Sequence, residues 1–392
     1  MNGEILFLAH RMPYPPDRGD KIRSWHMLKR IASIAPTHVV TLCNDPRDLA
    51  HASVIANIAA SARFFEPVSR QRAIATALVT GRSASVCACA SAKLQSEVNR
   101  LLATRPIKTI FAYSGQMAQF VPSDIGDRRF VMDFVDMDSA KFAAYGGFAN
   151  CEEARRLRAF EIATAARADV SIFVSKAEAD VFCNESGLSA GKIASVENGI
   201  DLDAYAPDNI RPTVGITTPL IVFTGQMDYR PNIEAVSKFA LTVLPIIRAS
   251  FDDVTFAIVG RAPTAEVMAL GRLPGVQVTG EVPDTRDWLA AADVVVAPLL
   301  LARGIQNKIL EAMAMAKPVF ASSAAAQGID AAHGVALIVA DGAQAQSDAV
   351  IALLNDPAYR ATVGIAARQR MVARYSWEAR LADLPSLLGF AA

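Results

Sequence analysis

Lys308 and Glu311 stand three apart in GIQNKILEAMAM, so on a helix they share one face. As an exposed ion pair they contribute a few tenths of a kcal/mol. Glu311, however, falls a full turn inside a stretch rich in Ala and Met, where a buried carboxylate needs a hydrogen-bonding partner. Ribose hydroxyls are such a partner. Glycines and cations recur nearby: Gly225 in FTGQMDYRPN with Arg230 beyond it, Gly260 and Arg261 in IVGRAP, and Gly304 ahead of the helix that carries Lys308. Near the N-terminus, Gly19 precedes a helix beginning at Asp20 or Lys21. A glycine there lets backbone amides approach a phosphate, and Lys21 and Arg23 add positive charge. The same stretch also reads as a Pro-rich turn with solvated basic residues. Asp136 and Asp138 have D-x-D spacing, and His10 and His26 are lone histidines beside the first loop.

The elements that must position these residues alternate in type. Short β-branched runs are expected as strands at Glu4 to Ala9, His38 to Leu42, Thr109 to Tyr113, Phe130 to Phe134 and Val170 to Val174. Between the first two, Lys21 to Ala35 places Ile22, Trp25, Leu28, Lys29 and Ile31 at helical spacing. The rhythm restarts at Leu220 to Thr224, Val254 to Val259, Val276 to Thr279, Asp293 to Ala297, Pro318 to Ala321 and Leu337 to Val339. Such βα alternation predicts an α/β protein with two doubly wound, Rossmann-like parallel sheets, whose ligand chemistry gathers at the carboxyl ends of the strands. The boundary is expected near Asp201 to Pro219, a stretch with Pro207, Pro212 and Pro219 and little periodicity. The expected division is therefore 1–205, a linker at 206–218, 219–374, and a final amphipathic helix within 375–392 that Ser376 caps.

Composition excludes several classes. Lys+Arg and Asp+Glu both number 39, which removes the basic excess of a general nucleic-acid binder. With 52% hydrophobic and 20% charged residues the chain is globular rather than disordered. The apolar run Val294 to Ala302 is about half the length of a membrane span and contains Pro298. Five cysteines, an odd number, argue for a reducing cytoplasm, and the Cys87-x-Cys89 pair lacks neighbouring ligands for a metal. No G-x-G-x-x-G or P-loop follows any strand, so the usual dinucleotide and P-loop folds lose support.

Taken in order, HRMPYPPDRGDKIRS, VDMDSAKF, SVENGIDLDAY, GQMDYRPN and RGIQNKILEAMAM resemble the GT-B glycosyltransferases of family GT4, most of all those associated with exosortase and PEP-CTERM systems. The resemblance spans essentially the whole chain. It implies two Rossmann-like domains facing across a cleft, the first for the acceptor and the second for the nucleotide sugar, with the last helix crossing back to the first domain. It further implies retaining, metal-independent transfer from a nucleotide-diphosphate sugar, UDP- or GDP-linked, to a saccharide or lipid-linked acceptor in bacterial exopolysaccharide or cell-surface glycan synthesis, with no cofactor. Catalytic roles fall to Asp136 first and Asp138 second; Asp138 also suits a helix cap. Donor contacts fall to Gly19, Lys21, Gly225, Arg230, Gly260, Arg261, Val282, Gly304, Gln306, Asn307, Lys308 and Glu311.

Two positions depart from the family pattern. Arg303 stands where the first of two carboxylates separated by seven residues is usual, Glu311 matching the second, and Gln226 stands where an arginine follows the glycine. D-x-D is also the metal motif of a different, single-sheet glycosyltransferase fold, which two restarting βα arrays do not fit. A nucleotide-sugar 2-epimerase of the same fold, or a two-lobed sugar-binding protein without chemistry, would share the architecture. A cytoplasmic location is expected, with peripheral contact at the inner face of the plasma membrane through Arg11, Arg18, Lys21, Arg23, Lys29 and Arg30, or through Arg63, Arg70, Arg72 and Arg82 around the apolar run Ala73 to Val79.

Overall fold

A computed structural model describes residues 3–210, 212, 214–215, 219–302 and 305–390. The chain divides into two compact units, Met1–Asn198 with Arg380–Ala392, and Gly199–Ala379. In the first, strands β1 (Glu4–Ala9), β2 (Thr37–Leu42), β3 (Ser61–Phe65), β4 (Ile107–Tyr113), β5 (Arg129–Val135), β6 (Val170–Phe173) and β7 (Ile193–Ser195) form a parallel sheet in the order β3-β2-β1-β4-β5-β6-β7. In the second, β8 (Leu220–Thr224), β9 (Thr255–Val259), β10 (Val276–Gly280), β11 (Val294–Ala297), β12 (Val319–Ala321) and β13 (Ile338–Val339) run β10-β9-β8-β11-β12-β13, also parallel. The interior strands are buried on both faces, as β2 and β8 are along their whole length. Continuous apolar and β-branched runs are what such strands require. In each sheet the order reverses once, between β1 and β4 and between β8 and β11. Loops leaving neighbouring strands part there and open a crevice at the carboxyl ends.

Strands β3 and β7 escaped the sequence expectation. Both are edge strands: β3 is only partly buried, and β7 has three residues. A half-exposed edge needs neither length nor an apolar run. The expected helix from Lys21 begins two residues earlier, at Gly19, and ends at Ile34.

The first unit is locked by a charged pair in its interior. Arg23, 0% exposed, donates from Nε to Asp133 Oδ2 at 3.1 Å and from Nη2 to Oδ1 at 3.3 Å. Its remaining nitrogen reaches the Val196 carbonyl at 2.7 Å and Asn198 Oδ1 at 2.9 Å. Burial pushes the Asp133 carboxyl up while Arg23 pulls it down. Arg23 is therefore not available to a surface patch, and Lys21, 4% exposed, is not either.

At the unit boundary the chain crosses twice. A Cβ on Gly199 would lie 2.7 Å from the Trp377 backbone, and the Ile200 amide donates to the Tyr375 carbonyl at 2.7 Å. The outgoing chain is thus zipped to the returning one. The following residues are pinned to the second unit: Arg286 donates to the Ala204 carbonyl at 2.9 Å and Arg368 to that of Tyr205 at 3.2 Å. Of the expected linker, Arg211, Thr213 and Ile216 to Thr218 lie outside the described residues. The expected final helix is two short ones, Trp377–Arg380 and Leu384–Leu387. Pro385 has no amide with which to continue the first into the second. Ser376 Oγ accepts the Ala379 amide at 3.0 Å. The returning segment is held to the first unit by Arg380–Glu197 at 2.5 Å, Thr109 Oγ1 to the Leu388 carbonyl at 3.0 Å and Arg129 Nε to the Leu387 carbonyl at 2.8 Å.

Replacing Arg23 by Met strands a buried carboxylate, and a loss of about 3–5 kcal/mol is expected. The double variant Arg23→Met/Asp133→Leu should recover most of it. Urea unfolding followed through Trp25 fluorescence, in a background with Trp288 and Trp377 replaced by Phe, measures both.

Candidate active site

At the reversal point of the second sheet, the loop after β8 and the helix after β11 meet through two side chains. Asn232, on the helix Arg230–Lys238, donates from Nδ2 to the Gln226 carbonyl at 2.9 Å. Its Oδ1 accepts Lys308 Nζ at 2.7 Å, and that nitrogen sits 4.0 Å from the centroid of Phe223 in β8. Gly225 lies under this pair; a Cβ there would fall 2.8 Å from Asn232 Nδ2 and 3.1 Å from Lys308 Nζ. Gly260, with φ of +151°, would place a Cβ 1.7 Å from the Gly225 carbonyl oxygen. The need for glycine at 260 is thus met by the approach of one loop backbone to another. Arg261 Nη2 reaches Gln226 Oε1 at 3.3 Å, which keeps a guanidinium at the rim of the same loop.

Lys308 and Glu311 follow each other on the helix Asn307–Ala314 but take different partners. Burial pushes the Lys308 amine down to about 7, against the pull of Glu311. Burial likewise pushes Glu311 up, while a hydrogen bond from Tyr205 and the charge of Lys308 pull it down. The Tyr205 phenol is raised far above its ordinary value by burial and by the Glu311 carboxylate. Tyr205 and Asn232 are the polar residues that sequence reasoning did not place here. Asn232 opens a helix directly after the glycine turn, a signal that was present. Tyr205 closes a segment expected to belong to the first domain, so nothing local pointed to it.

Other expected donor residues have their own partners. Arg230 is 89% exposed and paired with Glu234 at 2.7 Å. Gln306 precedes the helix that Asn307 opens, and its carbonyl accepts the Ile309 amide at 3.0 Å. Val282 packs, partly buried, on the second core. Arg303 and Gly304 lie outside the described residues. In the first unit, the cations of the opening loop already have carboxylates: Lys21 reaches Asp17 and Asp48, both at 3.1 Å, and Arg11 and Arg18 each reach Asp20 at 2.8 Å. Burial works to raise the Asp20 carboxyl, but the hydrogen bond from His10 and the charges of Arg11 and His10 carry it well below the usual range. Gly19 opens the helix with free space where a Cβ would stand, so no close approach dictates glycine there.

Beyond β5, Asp136 and Asp138 are partly exposed and share one cation. Lys141 Nζ lies 2.6 Å from Asp136 Oδ2 and 3.3 Å from Asp138 Oδ1, and Gln116 Nε2 donates to Asp138 Oδ2 at 2.8 Å. Asp138 does not cap its helix, Asp138–Tyr145; the Ser139 amide is taken by Glu161 at 3.1 Å. Burial pushes Glu161 up to about 7. Among the described residues, no group of three or more His, Cys, Asp or Glu is arranged to hold a metal ion.

Residues 218–356 match the family described as Glycosyl transferases group 1. Along 98% of this chain and 99% of its own, the Anabaena HepE structure in complex with UDP superposes with a TM-score of 0.65 at 18% identity. This chain has the GT-B fold, and the group 1 match lies within its second unit. WaaG, a glycosyltransferase involved in lipopolysaccharide biosynthesis, shares the GT-B architecture over 98% of this chain and all of its own, with a TM-score of 0.61 at 15% identity. A GDP-mannose-dependent α-(1-6)-phosphatidylinositol monomannoside mannosyltransferase of Mycolicibacterium smegmatis is 29% identical over 242 residues, 56% of this chain. The match spans 62% of that relative's length.

Burial that lowers the Lys308 amine to about 7 favours its neutral form at pH 8, and a diphosphate bound beside it would restore the charge. Binding of UDP or GDP at pH 8 should therefore take up about one proton. Calorimetry in buffers of different ionisation enthalpy reads this as a positive slope, and Lys308→Met should flatten it.

Proposed function

We propose that this GT-B chain is a retaining, metal-independent glycosyltransferase that moves a sugar from a UDP- or GDP-linked donor to a saccharide or lipid-linked acceptor. The setting we propose is bacterial exopolysaccharide or cell-surface glycan synthesis, in the manner of the exosortase-associated enzymes the sequence resembles. The observation that carries the reading is the part-buried Lys308–Asn232 pair over Gly225. It sits at the reversal point of the sheet that carries the group 1 match. Charge develops on the departing diphosphate, and a desolvated cation fixed before the reaction stabilises that charge strongly. Glu311, oriented by Tyr205, is left to accept from the ribose, and Arg261 is the second cation at the rim. UDP in the HepE complex and GDP-mannose in the mannosyltransferase's name support a nucleotide donor. The phosphatidylinositol acceptor in that name supports a lipid-linked one. Metal independence is favoured because Asp136 and Asp138 already share the Lys141 ammonium.

A thermal-shift screen with UDP-, GDP- and dTDP-sugars tests the donor, since ligand binding raises apparent stability. Glu311→Ala should weaken the responding nucleotide by about 1.5–3 kcal/mol in calorimetry. Transfer should survive EDTA. Product formation without a separate acceptor would favour the epimerase instead.

Peripheral membrane contact is proposed on the helix Arg70–Thr80. Its small residues Ala73 and Ala77 face inward, while Ile74, Leu78 and Val79 are exposed, the last by 87%. Arg63, Arg70, Arg72 and Arg82 surround them, all exposed. Cosedimentation with anionic vesicles at low salt is expected, with release as ionic strength rises and loss on neutralising these four arginines. Equal recovery in the supernatant with neutral and anionic vesicles would overturn it.

A further inference from the structure

The loop that carries Asp136 and Asp138 is held by acids from three elements. Asp133 Oδ1 accepts the Val135 amide at 3.0 Å, Glu178 Oε1 the Met137 amide at 3.0 Å, and Glu161 Oε1 the Ser139 amide at 3.1 Å. Alternate amides are thus each taken by a carboxyl, and the two residues between them are the aspartates. Glu161 comes from the long helix Phe148–Arg167, Glu178 from the helix Lys176–Ser186, and Asp133 from β5 itself. Glu161 also accepts the Ser139 hydroxyl on its second oxygen at 2.5 Å.

A clamp of this kind has something to hold. Val135 has φ of +69°, and Ser114, at the end of the neighbouring strand, has +73°. A β-branched residue in the left-handed region is strained, and it persists only where its surroundings over-determine it. Burying Glu161, 3% exposed, adds a second cost that a loop free to move would not need.

We propose that Glu161 and Glu178 are positioning residues, which fix the backbone from Val135 to Ser139 so that Asp136 and Asp138 keep one orientation during transfer. This rests on the role proposed above for the aspartates. Both glutamates act through the loop backbone, at the Met137 and Ser139 amides.

The test uses the full chain and the variants Glu161→Leu, Glu161→Gln and Ser139→Ala. Glu161→Leu should speed amide hydrogen exchange across residues 135–145 by at least about tenfold and leave the second unit unchanged. Its Kd for UDP or GDP, by calorimetry, should stay within about twofold. With the donor identified by the thermal-shift screen, kcat should fall at least about tenfold at unchanged donor KM. Glu161→Gln keeps an oxygen for the Ser139 amide and should restore kcat and exchange to near the wild type. If Glu161→Leu does not fold, Ser139→Ala, which removes only the hydroxyl, should give the same changes in smaller measure. Unaltered exchange in the variant that folds would overturn the clamp, and so would faster exchange with unaltered kcat. Should the wild type transfer no sugar, the function proposed above fails. The exchange measurement still decides whether the acids hold the loop.

Discussion

The buried Arg23–Asp133 pair is the interaction on which the first unit is organised. Taking two charges out of water is costly, and the arrangement persists only because every guanidinium nitrogen finds an oxygen. Those oxygens belong to β5, to Val196 and to Asn198, so one side chain joins the first helix, an interior strand of the sheet and the last residue before the chain leaves the unit. Asp133 also takes the Val135 amide, so the same pair reaches the loop that bears the aspartates. The price of the buried pair is therefore spread over the part of the unit where geometry matters most.

The second unit solves a different problem. Its loops approach so closely that side chains are excluded at Gly225 and Gly260, and the space so released is filled by the polar ends of Asn232 and Lys308. Desolvation lowers the lysine and raises Glu311 on the same helix. Each then depends on a neutral partner, Asn232 or Tyr205, for its orientation.

Much of this was legible in the chain itself. Fully buried strands such as β8 have continuous apolar runs, and glycines followed by helices marked the mouths of the sheet. What was not legible depended on distant contacts. Edge strands β3 and β7 lacked apolar runs because solvent covers part of them. Lys21 and Arg23 look like a basic surface until Asp48 and Asp133 are brought to them from elsewhere in the fold. Tyr205 was assigned to the wrong side of the boundary because the chain leaves the first unit at Asn198, in a turn that no proline marks.

The double crossing makes the second unit an insertion in the first. Residues from Arg380 onward complete the first unit, held to it through Glu197, Thr109 and Arg129. During synthesis they leave the ribosome after the whole of the second unit. The inserted unit is thus the first to have all of its residues, while the enclosing one waits with the Thr109 and Arg129 positions uncovered. Order of emergence and order of completion run in opposite directions.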